Sequence, residues 1–203
     1  VNVNPLYTAR ELEHQLNDSG ATAIVILENF AATLEQVIDR TAVKHVLLTA
    51  MGDQLGGLYG AWITAAVRHL AKLVPPFKLP VGGGRTVSTW PKAMSAGRAR
   101  PLAPDTSTLD SIAFLQYTGG TTGRSKGAVL THRNIVAATL QAEAWFTPAL
   151  ARAGDLSKIN SIAALPLYHI FALTLCLLAI RQGSHLTLIP NPRDIGKFIA
   201  VLK

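Results

Sequence analysis

Residues 117–127 read YTGGTTGRSKG, and this stretch carries most of the chemical information in the chain. Its glycines alternate with threonine hydroxyls, and it ends with two cations, Arg124 and Lys126. Short apolar runs at 112–115 and 128–130 flank it, each of a length typical of a strand. Glycines let backbone N–H groups approach an anion closely, hydroxyls add donors, and lysine adds a compact charge. The pattern therefore predicts a loop between two strands that binds phosphate.

The spacing of the loop residues excludes two common nucleotide-binding motifs. Lys126 is followed by Gly127 rather than by serine or threonine, so the GxxxxGK[ST] motif is absent, and GxGxxG is absent as well. A glycine-rich surface turn without a ligand stays open as the alternative, because such turns are common.

The composition indicates a rather apolar globular protein. Hydrophobic residues make up 49% of the 203 positions and charged residues 15%, which excludes a disordered chain. The length allows one domain with a substantial core, or two small ones. The single cysteine, Cys176, excludes an internal disulfide and suits a reducing compartment. The chain begins at Val1 without a signal-peptide pattern, from which we expect that it starts within a larger protein.

The net charge of +7 arises from one region of the sequence. Between Gln54 and Pro104 there is no acidic residue, and there are seven basic ones: Arg68, Lys72, Lys78, Arg85, Lys92, Arg98 and Arg100. Two interpretations stay open: a surface that contacts anionic lipid headgroups, or the solvated face of a helix packed on the domain. Nucleic-acid binding is not predicted, because no recognition motif accompanies the charge.

Alternating strands and helices predict an α/β fold, with a mostly parallel sheet and flanking helices. Continuous apolar runs indicate buried strands, and apolar positions three or four apart indicate helices. The predicted strands are 23–27, 45–49, 112–115, 128–130, 162–165 and 185–189, and the predicted helices are 8–17, 31–40, 59–73, 131–146, 168–180 and 194–202. Residues 148–158 are predicted to form a polar loop. Segment 58–104 is predicted to be a basic, irregular excursion within the domain, holding one or two short helices beyond residue 73.

Residues 161–180 carry no charge apart from a proton on His169, so a membrane span has to be considered. Pro166, Tyr168 and His169 interrupt this run near its middle. The split suits a strand of about five residues followed by a helix of about twelve. We therefore predict a strand and a buried helix here, within a soluble domain.

The loop at 117–127 resembles the phosphate-loop signature of adenylate-forming enzymes, which is usually written YTSGTTGxPKG. Two positions depart from it, since Gly119 replaces a serine and Ser125 replaces a proline. The first departure removes a hydroxyl donor but keeps the backbone amide. The second predicts a looser turn before Lys126.

Further blocks extend the resemblance over essentially the whole chain. They read VNVNPLYTARELEHQLNDSGA, AFLQYTGGTTG, LTHRN, ALPLYHIFALT and NPRDI. In this order they are similar to bacterial long-chain fatty acid–CoA ligases, and 58–100 is the least similar part. The resemblance implies that residues 1–203 are part of the N-terminal AMP-binding (adenylation) domain of the adenylate-forming fold, without its C-terminal lid domain.

The resemblance implies two half-reactions. A fatty acid carboxylate attacks the α-phosphorus of ATP with Mg²⁺ present, giving acyl-adenylate and pyrophosphate, and the thiol of coenzyme A then displaces AMP. The partners implied are fatty acid, ATP and coenzyme A, with no nucleic acid. The implied location is the cytoplasm, peripheral on the inner face of a bacterial membrane, with contact to anionic lipid.

The residues that match the family's phosphate-binding loop are Thr118, Gly119, Gly120, Thr121, Thr122, Gly123 and Lys126. Tyr168 and His169 match the family's aromatic–His element at the acyl pocket. Ile170, Phe171 and Leu173 would line the alkyl chain. Ala172 stands where many relatives have glycine, which leaves the pocket shape open. His132 matches a family residue to which no chemical role is assigned.

The family's Mg²⁺ motif, ribose-binding aspartate and adenylation lysine are not expected within residues 1–203. The resemblance therefore assigns no metal ligand and no complete catalytic set to this chain, which alone is expected not to form acyl-adenylate. Two alternatives stay open. One is another adenylate-former, namely a fatty acyl-AMP ligase or a peptide-synthetase adenylation domain. The other is a non-catalytic module that binds nucleotide or a membrane surface.

Overall fold

The computed structural model describes residues 1–119, 124–152, 160–189 and 193–202. The chain divides into two compact units. The first unit is Val3–Asp105, and the second is Thr106–Lys203 together with Val1–Asn2.

The first unit is built on a three-stranded parallel sheet in the order β1-β2-β3. Its elements are α1 (Ala9–Asp18), β1 (Ala23–Leu27), a 3₁₀ turn (Glu28–Phe30), α2 (Ala31–Glu35), a 3₁₀ turn (Ile38–Arg40), β2 (His45–Thr49), α3 (Gly57–Ala65) with a π-helical extension (Ala66–Leu70), β3 (Thr86–Thr89) and α4 (Trp90–Arg98). The core of the unit consists of Leu12, Leu16, Ile24, Leu34, Val37, Ile38, Val43 and Val46. Burying these side chains is the main stabilising contribution.

α2 and β3 are the elements of the first unit that depart most from the sequence-based prediction. The helix expected over 31–40 ends at Glu35, and a 3₁₀ turn follows, although Val37 and Ile38 are still fully buried as expected. Strand β3 was not predicted, because its sequence, TVST, contains only one apolar residue. It also follows three consecutive glycines, which have positive φ in the structure. Segment 58–104 therefore contains a parallel strand and the helix α4 beside its irregular parts.

The second unit combines a hairpin with a parallel strand pair. Its elements are β4 (Ile112–Thr118), β5 (Lys126–Thr131), α5 (His132–Leu150), β6 (Asn160–Ala163), α6 (Ile170–Gln182), β7 (His185–Leu188) and α7 (Ile195–Leu202). β4 and β5 pair antiparallel, whereas β6 and β7 pair parallel with α6 between them in the chain. α5 packs against α6, and an ion pair of 2.7 Å between Arg181 and Glu143 joins the two helices. The predicted α/β class with a parallel sheet and flanking helices is confirmed.

Helix boundaries in the second unit differ from prediction in two places. α5 continues through Pro148 to Leu150, where a loop was predicted from 148 onward. A proline in the last turn removes one helical hydrogen bond, and the helix ends shortly after it. α6 begins at Ile170 rather than at 168, because His169 caps it, and it ends at Gln182, where Gly183 follows in the left-handed conformation. Among the residues that the structure describes, no helix has the length and hydropathy needed to span a membrane.

Candidate functional site

The phosphate loop predicted from the sequence connects the two strands of the β4–β5 hairpin. Thr118 and Lys126 are the last cross-strand pair before the connection. Thr118, Gly119 and Lys126 are described by the structure. The other four predicted phosphate-binding residues, Gly120, Thr121, Thr122 and Gly123, lie outside the described residues. The hairpin thus places one hydroxyl and one ammonium group opposite each other at the base of the loop.

Ser125 makes a hydrogen bond across the base of the loop. Its Oγ donates to the backbone carbonyl of Thr118 at 2.9 Å. A proline, which is the residue in the family signature, has no hydroxyl and could not make this bond. The side chain of Ser125 therefore ties the end of β4 to the start of β5 by a contact that the sequence pattern did not predict.

Two glycines at the loop have different roles. A Cβ atom at Gly127 would lie 2.9 Å from Cε2 and Cζ of Tyr117, so this glycine makes room for the buried ring of its cross-strand partner. A Cβ atom at Gly119 would meet no atom of the described residues within 4 Å. The backbone at Gly119 is therefore open to a ligand, whereas Gly127 serves packing.

The charges at the loop fit an anion. Arg124 and Lys126 are both exposed, and neither forms an ion pair or side-chain hydrogen bond with the described part of the chain. Unpaired cations beside an open backbone and a threonine hydroxyl are the donors that phosphate oxygens require. The residues present therefore fit a polyphosphate.

The predicted acyl-pocket residues lie together where α6 begins. His169 caps the helix, with its Nδ1 accepting from the N–H of Phe171 at 3.4 Å. In the neutral imidazole ring this acceptor role leaves the proton on Nε2. His169 and Phe171 are exposed, Ala172 is buried, and Tyr168, Ile170 and Leu173 are intermediate.

The two predicted sites are joined directly by Gln116. Its side-chain Nε2 donates to the backbone carbonyl of Tyr168 at 2.8 Å. Gln116 lies on β4 two residues before Thr118, so a single amide connects the phosphate-loop strand with the aromatic–His element. Sequence reasoning missed this residue. The one available signal was a polar side chain within the apolar run AFLQY.

Comparison with known proteins places this geometry in a family. The family model described as AMP-binding enzyme matches residues 1–203. The chain belongs to the AMP-binding enzyme family. It is 52% identical over 203 residues to the long-chain-fatty-acid–CoA ligase of Escherichia coli O157:H7 and 50% identical over 205 residues to that of Haemophilus influenzae. All of the chain is covered in both, and it spans 35% of the length of each relative.

A solved structure shows the same fold. The adenylation domain of the carboxylate reductase from Mycobacterium chelonae superimposes with a TM-score of 0.62, at 21% sequence identity. The match covers 92% of this chain and 27% of that one. The α/β fold is therefore that of adenylation domains.

The first unit contains a cavity of about 450 Å³ for which no role was predicted. Its polar lining includes Asp53, Thr64, Arg68 and His69. Arg68 also binds the buried carboxylate of Glu28 through three contacts of 2.6–3.0 Å, and this hydrogen bonding raises the pKa of Arg68. Over the described ranges of the chain, no group of three or more His, Cys, Asp or Glu side chains could hold a metal ion.

Proposed function

We propose that the complete protein activates a fatty acid with ATP and transfers the acyl group to coenzyme A, as a long-chain fatty acid–CoA ligase does. The observation that carries the proposal is the pair of adjoining sites in the second unit. The β4–β5 hairpin presents two cations that form no ion pair with the described residues and a glycine backbone that those residues leave open, and Gln116 joins it to the Tyr168–His169 element at 2.8 Å. The 52% identity to a ligase of this specificity supports the same assignment.

The residues of this chain would stabilise the negative charge of the phosphates and orient the two substrates. The Thr118 hydroxyl and the Gly119 N–H would donate to phosphate oxygens, and Arg124 and Lys126 would offset the charge that develops on the leaving pyrophosphate. Hydrogen bonds to charged oxygens contribute roughly 1.5–3 kcal/mol each, so a few convergent donors suffice to orient a triphosphate. His169 would offer its Nε2–H near the acyl carboxylate, with Ile170, Phe171 and Leu173 along the alkyl chain.

The covalent steps balance without a further reactant. A carboxylate oxygen of the fatty acid forms a bond to the α-phosphorus as the bond to pyrophosphate breaks. The thiol sulfur of coenzyme A then forms a bond to the acyl carbon as AMP leaves with the bonding electrons and the thiol proton is released. Mg²⁺ would neutralise phosphate charge, with most of its ligands outside residues 1–203.

The decisive experiment measures fatty-acid-dependent ATP–pyrophosphate exchange by the complete protein. Lys126→Met should lower the rate by about 10- to 150-fold, the factor that corresponds to one charged hydrogen bond. Lys44→Met, which removes an exposed lysine of the other unit, should leave it unchanged. Wild-type exchange in Lys126→Met would overturn the assignment of the loop. The isolated 203 residues should show no exchange.

Two further measurements separate the remaining candidates. Consumption of coenzyme A thiol distinguishes a CoA ligase from a fatty acyl-AMP ligase, and exchange driven by amino acids in place of fatty acids would indicate a peptide-synthetase type of domain. Exchange should stop when a chelator removes Mg²⁺ and return when Mg²⁺ is restored. Nucleotide binding without any exchange would leave only the non-catalytic interpretation.

We also propose that the protein works in the cytoplasm and contacts anionic membrane through the exposed side of α3. Leu58 is 91% exposed and Trp62 61% exposed, and Trp62 stacks on the ring of Tyr59. The basic segment supplies exposed lysines nearby in sequence, Lys72 and Lys78. Aromatic and aliphatic side chains beside basic ones favour the interface of an anionic bilayer.

Co-sedimentation with vesicles tests this contact. The complete protein should bind phosphatidylglycerol-containing vesicles more tightly than phosphatidylcholine vesicles. Trp62→Ser should weaken that binding, as should the joint replacement of Lys72 and Lys78 by glutamine. Arg68 is unsuitable for this test, because its guanidinium is already bound to Glu28. Equal binding by the wild type and by both variants would contradict the proposal.

A further inference from the structure

The side chain of Gln116 is buried and bonds to a different element. It is only 6% exposed, although it lies on β4 between the apolar Leu115 and Tyr117. Its Nε2 donates to the carbonyl of Tyr168 at 2.8 Å and lies 3.4 Å from the carbonyl of Tyr117. Carbonyl oxygens only accept hydrogen bonds, so the end of the Gln116 amide that faces them must be the NH₂ group and not the oxygen.

The same bond fixes the peptide group that precedes His169. On one side of that peptide, the carbonyl of Tyr168 accepts from Gln116, and on the other the N–H of His169 donates to the carbonyl of Pro166 at 2.9 Å. The carbonyl of His169 in turn accepts from the N–H of Leu173 at 3.2 Å, within the first turn of α6. The two peptide groups that flank the Cα of His169 are therefore held by three partners, and of these three only Gln116 belongs to the strand that leads to the phosphate loop.

The other end of the amide has no partner in the described part of the chain. Oε1 of Gln116 is buried and makes no hydrogen bond with the described residues. A buried acceptor without a donor is destabilising, so the amide contributes little net stability compared with an apolar side chain of its size. The physical consequence of having an amide at position 116 is thus the bond to Tyr168.

We propose that Gln116 is a positioning residue that keeps the Tyr168–His169 element in register with the strand of the phosphate loop. The inference rests on the proposed function, because it assigns His169 to the acyl end of the site. This role requires no contact between Gln116 and either substrate. It acts by setting where the imidazole stands relative to Thr118, two residues further along β4.

The test compares Gln116→Met with the wild type in the complete protein, since methionine has nearly the same length and no amide. The kcat/KM for fatty acid should fall by about two- to tenfold, the range that corresponds to one neutral hydrogen bond. The KM for ATP and the unfolding midpoint should stay unchanged. Thr139→Val is the matched control: Thr139 is buried in the same unit, but its hydroxyl bonds only within α5, to the carbonyl of Ile135.

Hydrogen–deuterium exchange supplies a readout that does not depend on activity. In Gln116→Met, peptides covering residues 166–173 should exchange faster, while peptides of α5 should not change. Unaltered exchange at 166–173 would overturn the proposal, and so would equal losses in kcat/KM for fatty acid and for ATP. If the wild-type protein shows no fatty-acid-dependent activity, the proposed function fails, and the exchange result still decides whether Gln116 holds this element.

Discussion

Gly127 lies directly beneath the ring of Tyr117, its partner across the β4–β5 hairpin. A Cβ atom at Gly127 would come within 2.9 Å of two ring carbons, closer than real side chains pack. We therefore expect Gly127→Ala to push the ring out of its buried position and to lower the free energy of unfolding by about 1–3 kcal/mol, the usual cost of overpacking. Denaturant titration of the complete protein, followed by tyrosine and tryptophan fluorescence, measures this change.

Gly119→Ala is the matched control, because the same methyl group would contact none of the residues that the structure describes. It should leave the free energy of unfolding unchanged. Relief of the Gly127→Ala defect by a second change, Tyr117→Leu, would confirm that the ring causes the clash. Equal destabilisation by the two alanine variants would contradict the packing argument.

The hydroxyl of Ser125 provides the second prediction. Its bond to the Thr118 carbonyl joins the two ends of the loop at 2.9 Å. Ser125→Ala removes this bond, and we expect the KM for ATP to rise by about two- to tenfold, since one neutral hydrogen bond contributes roughly 0.5–1.5 kcal/mol. Steady-state kinetics with ATP varied at saturating fatty acid measure it.

Ser125→Pro introduces the residue of the family signature and separates two ways of ordering the loop. Proline restricts the backbone without a side-chain bond. Suppose that the KM for ATP is close to the wild-type value in Ser125→Pro but raised in Ser125→Ala. Either a side-chain hydrogen bond or a proline would then be enough to order the loop for ATP binding. An unchanged KM in Ser125→Ala would show that the bond has no role in binding.

Strands with a clear apolar pattern in their own sequence were predicted correctly. β1 is a continuous apolar run, AIVIL, and β2, HVLLT, contains three apolar residues in a row; both were predicted with the bounds that the structure shows. β3 was missed because a strand of mixed polarity at the edge of a sheet is recognisable only from the strand beside it, here β2. The stacking of Trp62 on Tyr59, on an exposed helix face, is likewise invisible in the sequence.

In the candidate site, too, local features were predicted from the sequence and contacts between distant residues were not. The glycines, hydroxyls and cations of 117–127 are a local pattern, and they indicated an anion site before any fold was known. The bond from Gln116 to Tyr168 connects residues 52 positions apart, so no periodicity or spacing encodes it. The roles of Gly119 and Gly127 also differ only in what surrounds each backbone. Packing between distant segments is what the sequence pattern could not supply.

The ion pair between Glu28 and Arg68 gives the third prediction. The carboxylate of Glu28 is buried, with 7% of its side chain exposed, whereas Arg68 is 47% exposed. Arg68→Met leaves the buried carboxylate without its partner, and we expect the free energy of unfolding to fall by about 1–3 kcal/mol. Denaturant titration measures this loss. Lys72→Met, an exposed charge removal nearby in sequence, should have little effect.

The double variant Glu28→Gln with Arg68→Met tests whether the unpaired Glu28 carboxylate causes the loss of stability in Arg68→Met. Removing the buried charge together with its partner should recover part of the stability, because the main cost is that of an unpaired buried carboxylate. If the double variant is less stable than Arg68→Met, the carboxylate is stabilised by something other than Arg68.

The fourth prediction concerns pH and the start of α1. The Thr8 hydroxyl and N–H donate to the carboxylate of Glu11 at 2.7 and 2.8 Å, and these bonds lower the pKa of Glu11. A carboxyl whose pKa is lowered by folding contributes stability above its unfolded pKa, and this contribution is lost as the pH falls through the folded pKa. The stabilisation should therefore be full near neutral pH and fade below the ordinary glutamate range.

Thr8→Ala removes both the cap and the cause of the pKa shift. Near neutral pH it should lower the free energy of unfolding by about 1 kcal/mol. The difference from the wild type should narrow in acid, because protonated Glu11 no longer accepts these bonds as a carboxylate. Urea titrations at several pH values measure it, with Thr22→Ala, an exposed threonine just before β1, as the control. A gap between wild type and Thr8→Ala that keeps the same size at every pH would show that Glu11 does not take part in the cap.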